Sequence, residues 1–331
     1  MGLKPCFRVV ANGADITAVL ANFLLSIQVT DKTGYESDLC EMILADDPKQ
    51  PISLPPKGAV LEVYMGYDAD LIKMGVFIVD EIELEGPPER MNIRARASIQ
   101  TESKDGKTSI MSQKTRSWPK ETTIDAVVKK IAGEHGLTSK VSDSLKLVTL
   151  PHMDQSDESD INFLLRVAKR YDVICKAAGG KLLFLKRGES GLASVSLTRW
   201  DLSSWRMTQS SKDSAGTIIT YWNERKNAKR HEVKVGEGEP VRRLKHSYSD
   251  EKSAQVAAQS ALDSAKRGEE TLSLTLPGNP LLSAEMPLEI REVREGINGN
   301  WIIDQVTHAI DKSLGYTSSI EAVKLIPKFT D

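Results

Sequence analysis

Cysteine is scarce in this chain. Cys6, Cys40 and Cys175 are the only three among 331 residues, and they lie far apart. An odd, sparse count fits reduced thiols in apolar surroundings and not a disulfide framework. No apolar run reaches the roughly 18 residues of a membrane-spanning helix. The first residues lack the charged-then-apolar pattern of a signal peptide. The expectation is a chain made and folded in the cytosol, without stable membrane insertion. Neither sign of charge dominates: 44 Lys and Arg stand against 46 Asp and Glu, for a formal charge of −2. That balance argues against a protein drawn to nucleic acid by long-range attraction and leaves local basic patches to be judged one by one.

Motifs of chemistry are missing as well. His135, His152, His231, His246 and His308 show no paired spacing, and neither His-Glu-x-x-His nor Cys-x-x-Cys occurs, so no zinc site is expected. There is no Gly-x-Ser-x-Gly elbow for a nucleophilic serine. Carboxylates are abundant, but nothing selects one pair for glycoside hydrolysis. No catalytic, cofactor-binding or metal-binding residue is expected.

What the chain does have is alternation. Thr271-Leu272-Ser273-Leu274-Thr275-Leu276 alternates polar and apolar until Pro277-Gly278-Asn279-Pro280 stops it. Further strands are expected at Pro287 to Arg291, Trp301 to His308 and from Gly315, completing a meander from Thr271 to Leu325. Period-two alternation punctuated by Gly, Asn and Pro is the mark of a sheet with one wet face. The first hundred residues read alike. Ile72, Met74, Val76 and Ile78 fall on one strand face, with Lys73, Gly75, Phe77 and Val79 on the other. Met91, Ile93, Ala95, Ala97 and Ile99 alternate with Asn92, Arg94, Arg96, Ser98 and Gln100. Pro51, Pro55 and Pro56 mark a loop.

The middle third changes period. Thr122-Thr123-Ile124-Asp125 reads as a capping box, opening a helix whose stripe is Ile124, Val127, Val128, Ile131 and Ala132 and which Gly133 or Gly136 ends. A second helix is expected at Ile161 to Tyr171, and a hairpin around Gly179-Gly180. Strands resume at Thr217 to Trp222, His231 to Val235 and Val241 to Ser247. They are followed by a helix with the alanine seam Ala254, Ala257, Ala258, Ala261 and Ala265, capped by Gly268. The chain therefore divides in order into a β-rich part at 1–100, a small α/β part at 101–200 and a second β-rich part with one packed helix at 201–331: mainly β, with α+β parts.

Three segments imitate functional motifs. Asp105-Gly106-Lys107-Thr108-Ser109 lacks the earlier glycine of a phosphate loop, since position 101 is Thr101, and reads as an exposed turn. Asp154-Gln155-Ser156-Asp157-Glu158-Ser159-Asp160 has calcium-type ligands. However, Ser159 and Leu165 stand where the loop needs glycine and a bidentate carboxylate, so it reads as the capped start of the next helix. The basic stretch Arg225-Lys226, Lys229-Arg230, Lys234 and Arg242-Arg243-Leu244-Lys245 is interleaved with glutamates and reads as a solvated hairpin. The functional alternative is an arm docking on a partner. Arg242 and Arg243, with Arg94 and Arg96 on the wet face of the early strand, are the candidate partner or lumen contacts.

Taken together, Leu54-Pro55-Pro56-Lys57-Gly58-Ala59, Ile93-Arg94-Ala95-Arg96, Ser117-Trp118, the Asp154 to Asp160 segment leading into Phe163-Leu164, Gly180-Lys181-Leu182-Leu183-Phe184, Arg267-Gly268 and the closing Gly-Asn-Pro, Trp-Ile-Ile and Gly-Tyr-Thr-Ser pieces resemble the late control D family. Those are the tail hub proteins of contractile-tailed bacteriophages and phage-tail-like bacteriocins, and the resemblance runs over nearly the whole chain. It implies two β-barrel domains like those of tail tube proteins, with an α/β domain between or beside them. It also implies a homotrimer whose six barrels join the hexameric tail tube protein to a trimeric central spike protein, beside baseplate wedge and tape-measure proteins. Non-specific DNA passage through its lumen is implied too, as is a place in the virion tail baseplate or a bacteriocin particle, assembled in the host cytoplasm. Because the sequence stops at Asp331, the spike is expected on a separate chain. The runner-up readings are a cell-wall-degrading baseplate enzyme with dispersed acids, and a carbohydrate- or nucleic-acid-binding module.

Overall fold

The computed structural model describes residues 3–34, 38–97, 110–178, 180–210, 215–224, 229–248 and 250–324. The Asp105 to Ser109 turn, Ile99, Gly179, Arg225, Lys226 and Leu325 of the sequence reading lie outside them. In chain order the elements begin with β1 (Pro5–Ala11), β2 (Ala14–Asp15), α1 (Thr17–Phe23), β3 (Leu24–Lys32), β4 (Leu39–Ala45), β5 (Val60–Tyr67), β6 (Asp70–Glu85) and β7 (Arg90–Ala97). There follow β8 (Gln113–Trp118), α2 (Ile124–Glu134), β9 (Thr138–Val141), α3 (Asp143–Lys146), β10 (Met153–Ser159), α4 (Asp160–Tyr171), β11 (Val173–Ala178) and β12 (Lys181–Lys186). The last are β13 (Val195–Thr198), β14 (Ser204–Gln209), β15 (Thr217–Glu224), β16 (Lys229–Gly236), β17 (Val241–Tyr248), α5 (Glu251–Glu269), β18 (Glu270–Pro277), β19 (Pro287–Arg291), β20 (Gly299–Asp311) and β21 (Gly315–Lys324). No helix among the described residues is long and apolar enough to cross a membrane.

Two compact units form, and they interleave along the chain. The first takes Met1–Ser98, Leu192–Met207 and Leu272–Ala322; the second takes Ile99–Gly191, Thr208–Thr271 and Val323–Asp331. The sequence patterns divide the chain in order, at 100 and 200. Long-range strand pairing instead sends the β15 to α5 segment to the second unit and returns β18 to the first.

The first unit is one sheet in the order β14-β18-β21-β20-β3-β4-β7-β6-β5-β1-β2, with β13 joined to β19 and β19 to β20. It curves into two arcs. The first, β1 to β7, surrounds Val9, Ile27, Val63, Met65, Phe77 and Met91. The second surrounds Trp301, Leu272, Leu274, Leu288 and Ile303. The arcs are joined where Gln305 to Asp311 of β20 pair antiparallel with Lys32 to Ser26 of β3. Two barrels are therefore not what the pairing shows: among the described residues no sheet closes on itself, and the strands expected in separate barrels share one ladder. In β6 the inward face belongs to Phe77 and Val79, while Ile72 points to solvent. Register shifts at Val63/Tyr64 and Val79/Glu81 break the simple alternation there, because a bulge adds a residue and turns the strand.

In the second unit α2 and α4 pack with β11-β12-β9 and the β8–β10 pair around Val128, Ile131, Phe163, Leu164 and Phe184. The start of α2 is half of the expected capping box. Thr123 Oγ1 accepts from Ala126 N (3.2 Å), but Asp125 reaches forward to Lys129 (2.7 Å) instead of back to the cap. Asp125 stands at the second helical position, one short of where the reciprocal bond forms. The helix ends beside Gly136, whose φ of +69° suits glycine. The sheet β16-β15-β17 is covered by α5, whose Ala254, Ala257, Ala258, Leu262 and Ala265 are buried. Gly268 lies inside α5 and does not cap it, since the chain passes straight from Glu269 into β18.

Ala258 is fully buried. Ala258→Glu places an unpaired carboxylate there and is expected to cost about 3–5 kcal/mol, the range for an uncompensated buried charge, read as a lower urea midpoint. An unchanged midpoint would show that α5 does not close on its sheet.

Candidate functional site

The four arginines singled out from the sequence do not meet in one site. Arg94 and Arg96 stand on β7 in the first unit, on the face turned away from the core. Arg94 is opposite Glu41 of β4 and Glu81 of β6 in register. Its Nε donates to Glu41 (2.9 Å) and its NH1 to Glu81 (3.2 Å), while Arg96 Nε donates to Asp80 (2.6 Å). These are cross-strand pairs on a wet face, worth about 0–1 kcal/mol each, and the carboxylates cancel the positive charge. Arg242 and Arg243 are exposed on β17 of the second unit, opposite Ile218 and Ile219. Adjacent strand residues point to opposite faces. Arg242 shares the row of Ile218, which packs against Ala258 and Leu262 of α5. Arg243 shares the row of Ile219 and Lys234. One surface therefore takes one of the two, not both.

A dense cluster of titratable groups among the described residues lies elsewhere, around Asp160 at the start of α4. Its side chain is fully buried. The local chain makes this possible: Ser159, not Asp160, is the N-cap and accepts from Asn162 N (3.3 Å). That frees the Asp160 carboxylate to turn inward. Lys114 Nζ donates to its Oδ2 (2.7 Å), His135 Nε2 lies 2.7 Å from the same oxygen, and Gln155 Nε2 donates to Oδ1 (2.8 Å). Arg116 also donates to Oδ1 and forks onto both oxygens of Glu134 (2.9 Å each), which Lys114 contacts too (2.9 Å). Alternation on β8 points Lys114, Arg116 and Trp118 to one face. There the Arg116 guanidinium lies 4.5 Å from the Trp118 ring centre, and that ring stacks on Phe163 at 5.5 Å. Burial opposes the charge of Asp160, yet hydrogen bonds from Gln155, Lys114 and His135 and the charge of Arg116 outweigh it and hold the carboxyl below its ordinary value. Glu134 is likewise lowered: its partial burial is overcome by Lys114 and Arg116.

Glu134, His135 and Asp160 offer donor atoms within 4.8 Å of one another, a spacing a cation could bridge. The donors do not fit a metal, because Lys114 and Arg116 already occupy the carboxylate oxygens and neutralise both charges. Nor does the cluster suit general acid catalysis, which needs a carboxyl whose pKa is raised. It is a charge lock tying β8, the end of α2, β10 and α4. Nothing in the sequence marks it. Lys114 and Arg116 two apart on a strand, and a buried helix end reading Glu134-His135, are visible only once the fold brings them to Asp160. The 154–160 segment, read as the capped start of a helix, is mostly β10: Ser159 is the cap, and the Asp160 carboxylate that looked like one is the buried hub of an ion network.

Comparison with known proteins gives consistent results. The model of the phage tail baseplate hub (GPD) family matches residues 78–314. Over 96% of its length the chain is 32% identical to the probable baseplate hub protein of Escherichia phage 186, covering 92% of that protein. It is 31% identical, again over 96%, to the probable baseplate hub protein of Escherichia phage P2, covering 93%. Its fold is similar to that of the 43 kDa tail protein of prophage MuSo2 from Shewanella oneidensis, with a TM-score of 0.71 at 14% identity, covering 96% of this chain and 98% of the other.

Asp160→Asn keeps the shape and removes the charge facing Lys114 and Arg116. The expected loss is about 3–5 kcal/mol, as for breaking one partner of a buried pair, measured by denaturant unfolding. The pH dependence follows from the same groups. The folded values of Asp160 and Glu134 lie below their ordinary 3.8 and 4.5, so on acidification the unfolded chain binds protons first. Their stabilisation is complete above about pH 4.5 and is lost as pH falls through the folded values. Asp160→Asn should flatten that acid limb; an unaltered limb would assign the acid sensitivity to other carboxylates.

Proposed function

The chain belongs to the phage tail baseplate hub (GPD) family, and from that premise we propose that it works as a homotrimeric ring joining a hexameric tail tube to a trimeric central spike, with a lumen through which DNA passes. One observation carries the reading: a single copy holds two strand-rich arcs fused through β20 and β3. Three copies then supply six tube-like arcs, matching the six subunits of a hexameric tube. The arcs stand for the two tube-like parts read at 1–100 and 201–331, and the helix-containing second unit supplies the α/β part. A cyclic trimer needs a head-to-tail contact between two different surfaces of each copy.

The role is structural, without catalysis. Its most buried carboxylate is neutralised by cations and closed to solvent. The balanced face of Arg94 and Arg96, paired with carboxylates, suits a lumen wall past which DNA slides without being held. Arg243, on the face away from α5, suits a contact with a wedge or tape-measure protein. The place of work is the baseplate of a phage tail or of a related bacteriocin particle, after assembly in the host cytoplasm.

Light scattering of the purified chain, alone and with its cognate spike, tests the reading. The expected mass is three times 36.5 kDa, with a threefold ring and central hole in negative-stain images. A stable monomer that also fails to bind the spike would overturn it.

A further inference from the structure

Among the described residues two histidines are buried: His135 in the ion network of the second unit, and His308 on β20 of the first. The hydrogen-bond partners of His308 are uncharged. Its Nε2 lies 3.1 Å from Leu282 O, and its Nδ1 lies 3.1 Å from both Ser318 Oγ and Tyr316 OH. A carbonyl only accepts, so Nε2 carries the proton and Nδ1 presents its lone pair to a hydroxyl. Geometry therefore holds the imidazole neutral, in one tautomer.

What it holds is the segment 278–286, which joins β18 to β19. Gly278 N donates to Tyr316 O (2.9 Å) and Asn279 N to Ser318 Oγ (2.9 Å), beside the contact of Leu282 O with His308. Farther along, Ala284 N donates to Asp31 Oδ2 of β3 (2.9 Å) and Glu285 N to Ile303 O of β20 (2.8 Å). Leu282, Ala284 and Met286 are buried. The place matters as much as the bonds. His308 stands opposite Val29 of β3 in register. Two residues away on β20, on the same face, are Val306 in the core of the second arc and Ile310 against the core of the first. Tyr316 belongs to the first core, with its ring 5.3 Å from that of Tyr67. The segment thus touches β3, β20 and β21 where the two arcs join, and His308 is the anchor whose charge changes near neutral pH.

We propose that His308 is a proton-operated latch: in mildly acidic solution its imidazole takes up a proton at Nδ1, and segment 278–286 lifts off β20 and β21 while the sheet beneath stays folded. Protonation turns Nδ1 from acceptor to donor. The hydroxyl that gave it a hydrogen bond must turn away, and Ser318 Oγ, which already accepts from Asn279 N, is asked to accept again. A charge also enters a dry site. The groups around it do not cancel that cost. Burial holds the phenols of Tyr316 on β21 and Tyr67 on β5 above their ordinary value, so neither supplies a charge. Burial lowers His308 below its ordinary 6.5; the Leu282 carbonyl and Asp31 of β3 pull the other way and are outweighed. Asp304 of β20 accepts from Thr33 Oγ1 (2.6 Å), and Glu285 is carried by the segment and leaves with it. An imidazole lowered in the closed state binds its proton more readily in the open one. Closure is therefore fully favoured above about pH 6.5 and weakens as pH falls below it.

Hydrogen exchange read by mass spectrometry at about pH 7.5 and about pH 5.0, with protection taken relative to intrinsic exchange at each pH, tests the latch. The expected result is an about tenfold loss of protection at 278–286 at the lower pH, the factor that one pH unit between the open and closed imidazole supplies, with β3 unchanged. His308→Gln keeps a donor for Leu282 O and does not titrate, so its protection there should not vary with pH. Protection that stays flat in the wild-type chain overturns the inference, as does an equal loss in His308→Gln. Loss shared by β3 also overturns it, since that is unfolding of the sheet and not release of one segment. Should His308→Gln fail to fold, the His308 ring signal in an NMR titration of the wild-type chain decides: a midpoint below 6.5 supports the latch, and one at or above 6.5 removes it. None of these outcomes touches the hub reading.

Discussion

The first unit depends on β20. Its first residues pair with β19, its later ones with β3, and its other edge carries β21. A strand engaged along both edges has no spare ladder positions, and Trp301, Ile303 and Val306 on it are fully buried. Its long hydrogen-bonded run makes the two arcs one body. The two arcs are held at a fixed relation by a shared strand, with no linker to set it. Among the described residues no sheet closes on itself, because this strand spends one edge on β19 and β3 and the other on β21.

The second unit is held differently. Beside its apolar core lies a buried ion network, with Asp160 and Glu134 answered by Lys114, Arg116, His135 and Gln155. Every member has a partner, which is the condition under which a buried ionic network adds definition instead of cost. The alanine seam of α5 then lets a helix lie close on β15 and β16, and Ser260 Oγ ties it to Tyr171 O (3.0 Å). The charges of this network, and those of the Arg94 and Arg96 face, are paired with one another.

Much of this was legible in the sequence. The strict alternation of Met91 to Ala97 and Thr271 to Leu276, the Gly180 turn, and the helical stripes after Thr123 and Ser159 all became the elements they describe, since each pattern is a local statement about which face of a strand or helix meets apolar neighbours. The alternation of β6 misled, because bulges shift its faces and a bulge leaves no mark in a polar–apolar pattern. Asp160 misled for a different reason: capping and burial ask for the same residue type, and only the position of Ser159 one residue earlier separates them in space.

The sequence by itself determined the periods, hence a mainly β chain with a helical middle. It also carried, as an overall pattern, the resemblance to tail hubs. Only the tertiary structure decided that β3 pairs with β20 across some 280 positions, that the compact units interleave, that Arg242 and Arg243 face opposite ways, and that Lys114, Arg116 and His135 converge on Asp160. Periodicity is set by near neighbours along the chain. Pairing partners and ion networks are set by which distant segments bury the most surface together, and that choice is made by the whole chain at once.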